Sequence, residues 1–321
     1  MSEASSGQWP SGYLGRSATA ADTAAVHRLV SAYEHELHGR VTTGAERVTA
    51  DLGLSGRESS GAAVLVLDRA GDAAAWGRVR GRRATVHVHP GHRGRGLGAS
   101  LLAWTEARAR ELGGDRLAQT VADADLAATA LLRSGGYAGL VTEWLLEMAM
   151  PVEPEVPEPP AGITVRAFRA GDEEAAYRLT EDAFDEWQQR RKSYAEWARH
   201  TVGRATFAPA ASPVAFAGGR MVGAVLSLDP GAGGRPGAAL VPGAPGGDEG
   251  YVERVAVRRD QRDRGIARLL LRQTFRAFYL RGKRSCTLWT HSDTGALPLY
   301  ERLGMTVRRS STVYVKALVA D

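Results

Sequence analysis

Residues 13–29, "YLGRSATAADTAAVHRL", and 163–179, "ITVRAFRAGDEEAAYRL", align with Arg16 under Arg166, Asp22 under Asp172 and Leu29 under Leu179, at a constant offset of 150. Further on, "HRGRGLG" aligns with "QRDRGIA", Arg93 with Arg262 and Gly96 with Gly265, at an offset of 169. A plan written twice at this spacing calls for two copies of one fold, and 321 residues suit two domains of about 150. "PVEPEVPEPPAG" (Pro151–Gly162), with five prolines alternating with acids, reads as a stiff extended linker between them. The expected division is a disordered leader over 1–12, a first domain over 13–150, a linker over 151–161 and a second domain over 162–321. The growth of the offset from 150 to 169 places nineteen extra residues in the Gly/Pro-rich stretch 229–250, where the first copy has only the turn "RGRR"; a mobile surface loop is expected there.

Apolar alternation predicts strands in the first copy at 13–18, 62–68, 73–79, 83–89, 115–121 and 140–149. In the second copy they fall at 163–168, 212–217, 220–228, 251–258, 285–290 and 305–317. Helices lie between them, each copy opening with one capped near its Asp, so each is a mixed α/β sheet with helices on both faces.

Composition excludes several classes. No apolar run approaches the roughly 20 residues of a membrane span. The N-terminus lacks the basic and apolar regions of a signal peptide, so a cytoplasmic location is expected. A single cysteine, Cys286, excludes internal disulfides and Cys-x-x-Cys sites, and its place in "SCTLWT" reads as a buried structural thiol. The net charge of +5 comes from arginines scattered among acids, which suits a small anionic ligand and gives no nucleic-acid footprint. "HVHPGH" (His87, His89, His92) has no carboxylate or cysteine partner at ligand spacing, so no metal is predicted.

The chemistry is in "QRDRGIA". A strand running into a glycine-bearing turn and then a helix leaves backbone N–H groups converging at the positive end of a helix dipole, which is a phosphate cradle. Gly265 and Ala267 keep side chains small there, while Arg262 and Arg264 add charge. The P-loop and dinucleotide-binding glycine patterns are both missing.

Arg262-x-x-Gly265-x-Ala267, and Arg93-x-x-Gly96-x-Gly98 in the first copy, resemble the Arg/Gln-x-x-Gly-x-Gly/Ala signature of the GNAT superfamily of N-acetyltransferases. "DTGALPLYERLGM" (Asp293–Met305) is similar to that family's Asn-x-x-Ala-x-x-x-Tyr-x-x-x-Gly-Phe segment, with Asp293 and Met305 departing from it. The resemblance runs through 13–150 and 163–318, and the tandem layout is similar to that of the mycothiol synthases. It implies two GNAT-like domains, each a mixed, mostly antiparallel sheet flanked by helices, and acetyl-CoA as cosubstrate. The pyrophosphate would meet Arg262, Asp263, Arg264, Gly265, Ile266 and Ala267, and in the first copy Arg93, Gly94, Gly96 and Gly98. Pantetheine would meet Asp293 and the main chain of Val255, Ala256 and Val257.

Acetyl transfer to an amine needs a base for the ammonium and an acid for the departing thiolate. The family's usual acid corresponds to Tyr300. Glu253, a carboxylate among valines in "YVERVAV", is the candidate base, with His291 in reserve. At the matching positions the first copy has Ala84 and Leu132, which predicts a non-catalytic first domain. In "FDEWQQRRKSYAEW", Trp187, Tyr194 and Trp197 are candidates for stacking on an acceptor and Asp185 or Glu186 for holding a cation, against ordinary helix packing. The expectation is an acyltransferase acting on the primary amine of a small molecule, monomeric or homodimeric and without membrane or nucleic-acid partners. The competing reading is a non-catalytic acyl-CoA-binding sensor.

Overall fold

The computed structural model describes residues 9–53, 63–185, 190–233 and 248–318. All twelve expected strands form within two residues of their expected bounds. The Gly/Pro-rich stretch falls mostly outside the described residues, as do Glu186 and Trp187. Among the described residues no helix is long and apolar enough to cross a membrane.

In chain order the first copy runs β1 (Leu14–Ser17), α1 (Thr23–His38), α2 (Ala45–Gly53), β2 (Ala63–Leu67), β3 (Ala73–Arg80), β4 (Arg83–Val88), α3 (Leu97–Glu111), β5 (Arg116–Ala122), α4 (Leu126–Ser134) and β6 (Ala138–Ala149). The second runs β7 (Ile163–Ala167), α5 (Glu173–Phe184), α6 (Tyr194–His200), β8 (Pro213–Ala217), β9 (Arg220–Leu228), β10 (Glu249–Val257), α7 (Ile266–Leu280), β11 (Ser285–His291), α8 (Leu297–Arg302) and β12 (Thr306–Ala317).

The chain divides into two compact units, and each takes its last strand from the other half of the sequence. The described part of unit 1 comprises residues 9–53, 63–142 and 310–318, and that of unit 2 comprises 143–185, 190–233 and 248–309. In unit 1 the strands lie in the order β1-β2-β3-β4-β5-β12, with Ser311–Ala317 of β12 antiparallel to β5. In unit 2 the order is β6-β11-β10-β9-β8-β7, with Glu143–Ala149 of β6 antiparallel to β11. An expected division at the linker placed residues 143–150 with the first half and 310–317 with the second. The hydrogen bonds that complete each sheet, decided by pairing rather than by chain order, put them the other way.

Both sheets are antiparallel except at one place each, β4 with β5 and β10 with β11. In unit 2, α7 covers one face: Ile266, Leu270, Phe275 and Phe278 pack with Val252, Cys286 and Leu288. On the opposite face Ala176, Leu179 and Trp197 of α5 and α6 pack with Val214, Leu226 and Ala256. Cys286 is fully buried, and burial pushes its thiol pKa up, so it stays protonated within this core.

The helix behind each glycine-bearing turn, α3 or α7, lies close on its sheet because a strand residue has no side chain. A Cβ at Gly223 of β9 would come within 2.9 Å of Ile266 and 3.0 Å of Leu270, and one at Gly77 of β3 within 3.0 Å of Leu101. The matched Arg and Asp of the repeat form the same bidentate pair twice, Arg16 with Asp22 and Arg166 with Asp172. Each Asp stands at the helix N-cap, yet its carboxylate turns back to the preceding strand's arginine and to a loop N–H, of Thr19 or Arg169, instead of bonding down the helix.

Candidate active site

Two irregularities in unit 2 open a cleft. β10 and β11 pair in parallel only from Glu249 with Ser285 to Val252 with Leu288. Beyond that, β10 continues to Val257 against β9 and β11 to His291 against β6, so the two part and leave backbone edges between them. The register of β10 on β9 slips between Val252 and Arg254, a bulge with Glu253 as the extra residue.

The bulge decides which way the side chains point. Val252, Val255 and Val257 belong to the cluster under α7, and Ala256 to the one under α5. Glu253 and Arg254 both point to the α5 side: Glu253 Oε2 lies 3.8 Å from Arg204 Nη1, and the Arg254 guanidinium sits 5.4 Å from the centre of the Phe184 ring. Strict alternation along a strand would have sent two consecutive residues to opposite faces.

The cleft has a volume of about 500 Å³. Its strand wall is Glu253, Val255, Ala256 and Val257; its loop end is Arg262, Asp263, Gly265, Ile266 and Ala267; Tyr300 of α8 and His291 of β11 close it. At the loop end a short 3-10 turn, Arg259–Gln261, leads to Asp263 at φ 62° and Gly265 at φ 79°, the latter the N-cap of α7. Asp263 is the one non-glycine residue in the left-handed region among those described; the first copy has Gly94 at φ 71° in its place. Left-handed residues at these two positions turn successive N–H groups toward one concavity at a helix N-terminus, the arrangement that receives a phosphate.

The loop fits such a ligand. A Cβ built at Gly265 meets no atom within 4 Å, so the space over it is open. Arg262 has no carboxylate partner among the described residues and touches only the Val257 carbonyl, at 3.5 Å. Tyr300 is 7% exposed, and burial pushes its phenol pKa up to about 12, so it keeps its proton at neutral pH.

Two expected residues stand apart. Arg264 is exposed, bonding Gln261 and the carbonyl of Ala161. Asp293 is exposed on the 3-10 turn Ser292–Thr294 and does not cap α8; Gly295, at φ 61°, separates the turn from the helix, and the Thr294 hydroxyl accepts from Ala296 N instead. Of the acceptor candidates, Trp197 is fully buried in the core and Tyr194 packs on Tyr177. Asp185 sits beside Arg191, 3.6 Å away. Sequence reasoning missed Phe184, Arg254 and Trp289, which line the cleft, and Arg204, which lies 3.8 Å from Glu253: packing aromatics and solvated arginines look the same in sequence, and the bulge in β10 and its parting from β11 are what expose Arg254 and Trp289 there.

The first copy departs in detail. β4 and β5 also part after Ala84, but β3 and β4 pair without a slip, so Ala84, Val86 and Val88 all face α3. Leu132 is buried with Leu102, Tyr137 and Tyr314. Arg93 is ion-paired to Glu36 at 2.7 Å and lies 4.0 Å from Asp125. Pro10 stands over the loop, 3.4 Å from where a Gly96 Cβ would be, while Tyr13 meets His92 and Arg95. Gly98 lies under Leu131, where a Cβ would be 3.0 Å from its methyl. His87 stacks on Trp76, and burial pushes its pKa down to about 4.

Comparison with known proteins agrees with this anatomy. The profile of the acetyltransferase (GNAT) family matches residues 27–137 and again 173–305. A mycothiol acetyltransferase of Cellulomonas flavigena is 32% identical over 238 residues, covering 72% of this chain and 66% of that protein. The crystal structure of a GCN5-related N-acetyltransferase from Sphaerobacter thermophilus is similar at 28% identity and a TM-score of 0.74, over 97% of both chains. A tandem GNAT protein from the clavulanic acid biosynthesis pathway shares the fold at 17% identity and a TM-score of 0.65, over 96% of this chain and 99% of its own. The chain belongs to the acetyltransferase (GNAT) family, carries that family's domain twice, and is an acetyl-CoA-dependent N-acetyltransferase.

Proposed function

We propose that unit 2 acetylates the primary amine of a small molecule by direct attack, with Glu253 as base and Tyr300 as acid. The observation that carries this is the bulge, which brings a carboxylate into the same cleft as a buried, protonated phenol and an open phosphate loop. Acetyl-CoA supplies an activated acetyl thioester. The loop from Arg262 to Ala267 would hold its pyrophosphate, and the freed edge of β10 from Val255 to Val257 its pantetheine arm. Glu253 takes a proton from the incoming ammonium. The raised pKa of Tyr300 holds the proton on its hydroxyl oxygen until negative charge develops at the departing sulfur, to which the hydroxyl then donates it.

Unit 1 is assigned no turnover: Ala84 and Leu132 offer no proton carrier, Arg93 is held by the chain's own carboxylates, and Pro10 and Tyr13 lie at its loop. The curated relatives are named mycothiol acetyltransferases, but acceptor walls change while the fold persists, so the acceptor here is read from this chain's own wall.

The test is calorimetric titration of acetyl-CoA into the intact protein and Gly265→Trp, with thiol release measured over a panel of amines that includes the mycothiol precursor. One site in the intact protein and none in the variant, with turnover of some amine, is expected. Binding retained at full stoichiometry in Gly265→Trp would place acetyl-CoA elsewhere. One site without turnover of any amine would return the sensor reading.

A further inference from the structure

The α5 side of the cleft carries donors that the transfer itself does not use. Arg254 Nε, Trp289 Nε1 and His291 Nδ1 are each buried without a hydrogen-bond partner among the described residues, and all three side chains line the same cleft as Glu253. They share a face for a structural reason. Cys286 and Leu288 of β11 point under α7, so Trp289 and His291 alternate to the other side, where the bulge has already put Arg254. A guanidinium and an indole N–H can only donate, and a buried polar nitrogen left unpaired is costly unless a ligand completes it.

Charge narrows the ligand. Arg254 has no ion-pair partner among the described residues; it lies over the Phe184 ring. Around it are the further cations Lys192 and Arg204 and the carboxylates Glu253, Glu181 and Glu196, the last ion-paired to Arg190. Glu253 is drawn toward Arg204, and Glu181 accepts from the backbone N–H of Lys192. Lys192 has its pKa lowered, first by burial and then by the like charge of Arg254. A polycationic acceptor would add positive charge to a wall already in excess of it. A planar carboxylate matches the guanidinium fork and can take the indole N–H as well.

We propose that the acceptor is an amine bearing a carboxylate near its nitrogen, an amino acid or amino-acid conjugate, and that Arg254, with Trp289, is the specificity-determining residue that holds that carboxylate. This rests on the reading of the cleft as the acetyl-transfer site. It also makes chemical sense there: the nearby cations disfavour the ammonium form of the bound amine and so ease the deprotonation assigned to Glu253.

The test uses the full-length protein and probes that bind whichever amine is natural: coenzyme A joined through its sulfur by a CH2CO bridge to the nitrogen of glycine or β-alanine, each paired with its carboxamide. At least one carboxylate probe is expected to bind about ten-fold or more tighter than its carboxamide. Arg254→Met should abolish that discrimination while leaving the carboxamide affinity within about two-fold, and Arg254→Lys should restore part of it. Damage to the fold would weaken both members of a pair alike and so leave the ratio in place, which counts against the proposal. Carboxylate and carboxamide binding equally well in both pairs overturns the proposal and leaves the acetyltransferase site standing. Failure of every probe, and of coenzyme A itself, overturns the site reading and the proposal together.

Discussion

In the proposed mechanism the two proton transfers would fall to Glu253, a partly exposed carboxylate beside Arg204, and Tyr300, a buried phenol. Neither belongs to the cradle, so Glu253→Gln should lower kcat about a hundred-fold or more while leaving acetyl-CoA affinity within about two-fold, measured by thiol release and calorimetry. Equal loss in both quantities would move Glu253 from proton transfer to binding. Tyr300 makes a separate prediction about pH. Its folded pKa is raised from 10.0 to about 12, so the phenol holds its proton more tightly in the folded protein than in the unfolded chain. The associated stability is complete below pH 10 and is lost as pH rises toward 12. Any alkaline limb due to Tyr300 therefore lies above pH 10. A limb near pH 8 to 9 present in wild type and missing in Tyr300→Phe would contradict the role given to burial.

At the scale of elements, the difference between the two copies is one residue of register. β10 carries an extra residue against β9; β4 pairs with β3 without interruption from Arg83 to Val88. Consequently the position matching Glu253 in unit 1 points under α3, where Ala84 is 6% exposed in an apolar cluster. Ala84→Glu placed in a Glu253→Gln background should therefore restore no turnover. It should also destabilise the protein by about 2 kcal/mol or more, because a carboxylate would be driven into a core without a partner, and thermal unfolding reads this directly. Recovered activity would mean that β4 can form the bulge on demand. The first copy keeps the loop geometry, with Gly94 and Gly96 left-handed just as Asp263 and Gly265 are, while carrying Ala84 and Leu132 at the positions matching Glu253 and Tyr300. The loop and the bulge are built by different stretches of strand and diverge independently.

For the whole molecule, the exchange of final strands ties the stability of each unit to a distant part of the chain. Ser311–Ala317 pairs with Arg116–Ala122, Lys316 binds Glu106 at 2.9 Å, and Tyr314 packs with Leu102, Leu132 and Tyr137, all in unit 1. Ending the chain after Arg309 should strip hydrogen-exchange protection from β5 and the end of α3, although both lie some 200 positions earlier. Protection unchanged at β5 would show that the strand is dispensable to the unit whose sheet it completes.

The sequence by itself determined the duplication, the twelve strands, the two loops and the family, because these rest on local periodicity, on glycine at left-handed positions and on motifs read within about a dozen residues. The matched Arg and Asp positions were legible as repeat markers, but that each Asp pairs with the preceding strand's arginine appears only in the structure. Tertiary structure alone decided three further things. It decided which unit receives β6 and β12, since a strand's pattern names its buried face but not its neighbour. It decided that Asp293 and Arg264 stand outside the cleft, through the turn at Gly295 and the contact with the Ala161 carbonyl. Above all it decided which way Arg254 faces. Arg254 reads in sequence as one more surface arginine, and only the single-residue slip of β10 on β9 turns it inward beside Glu253.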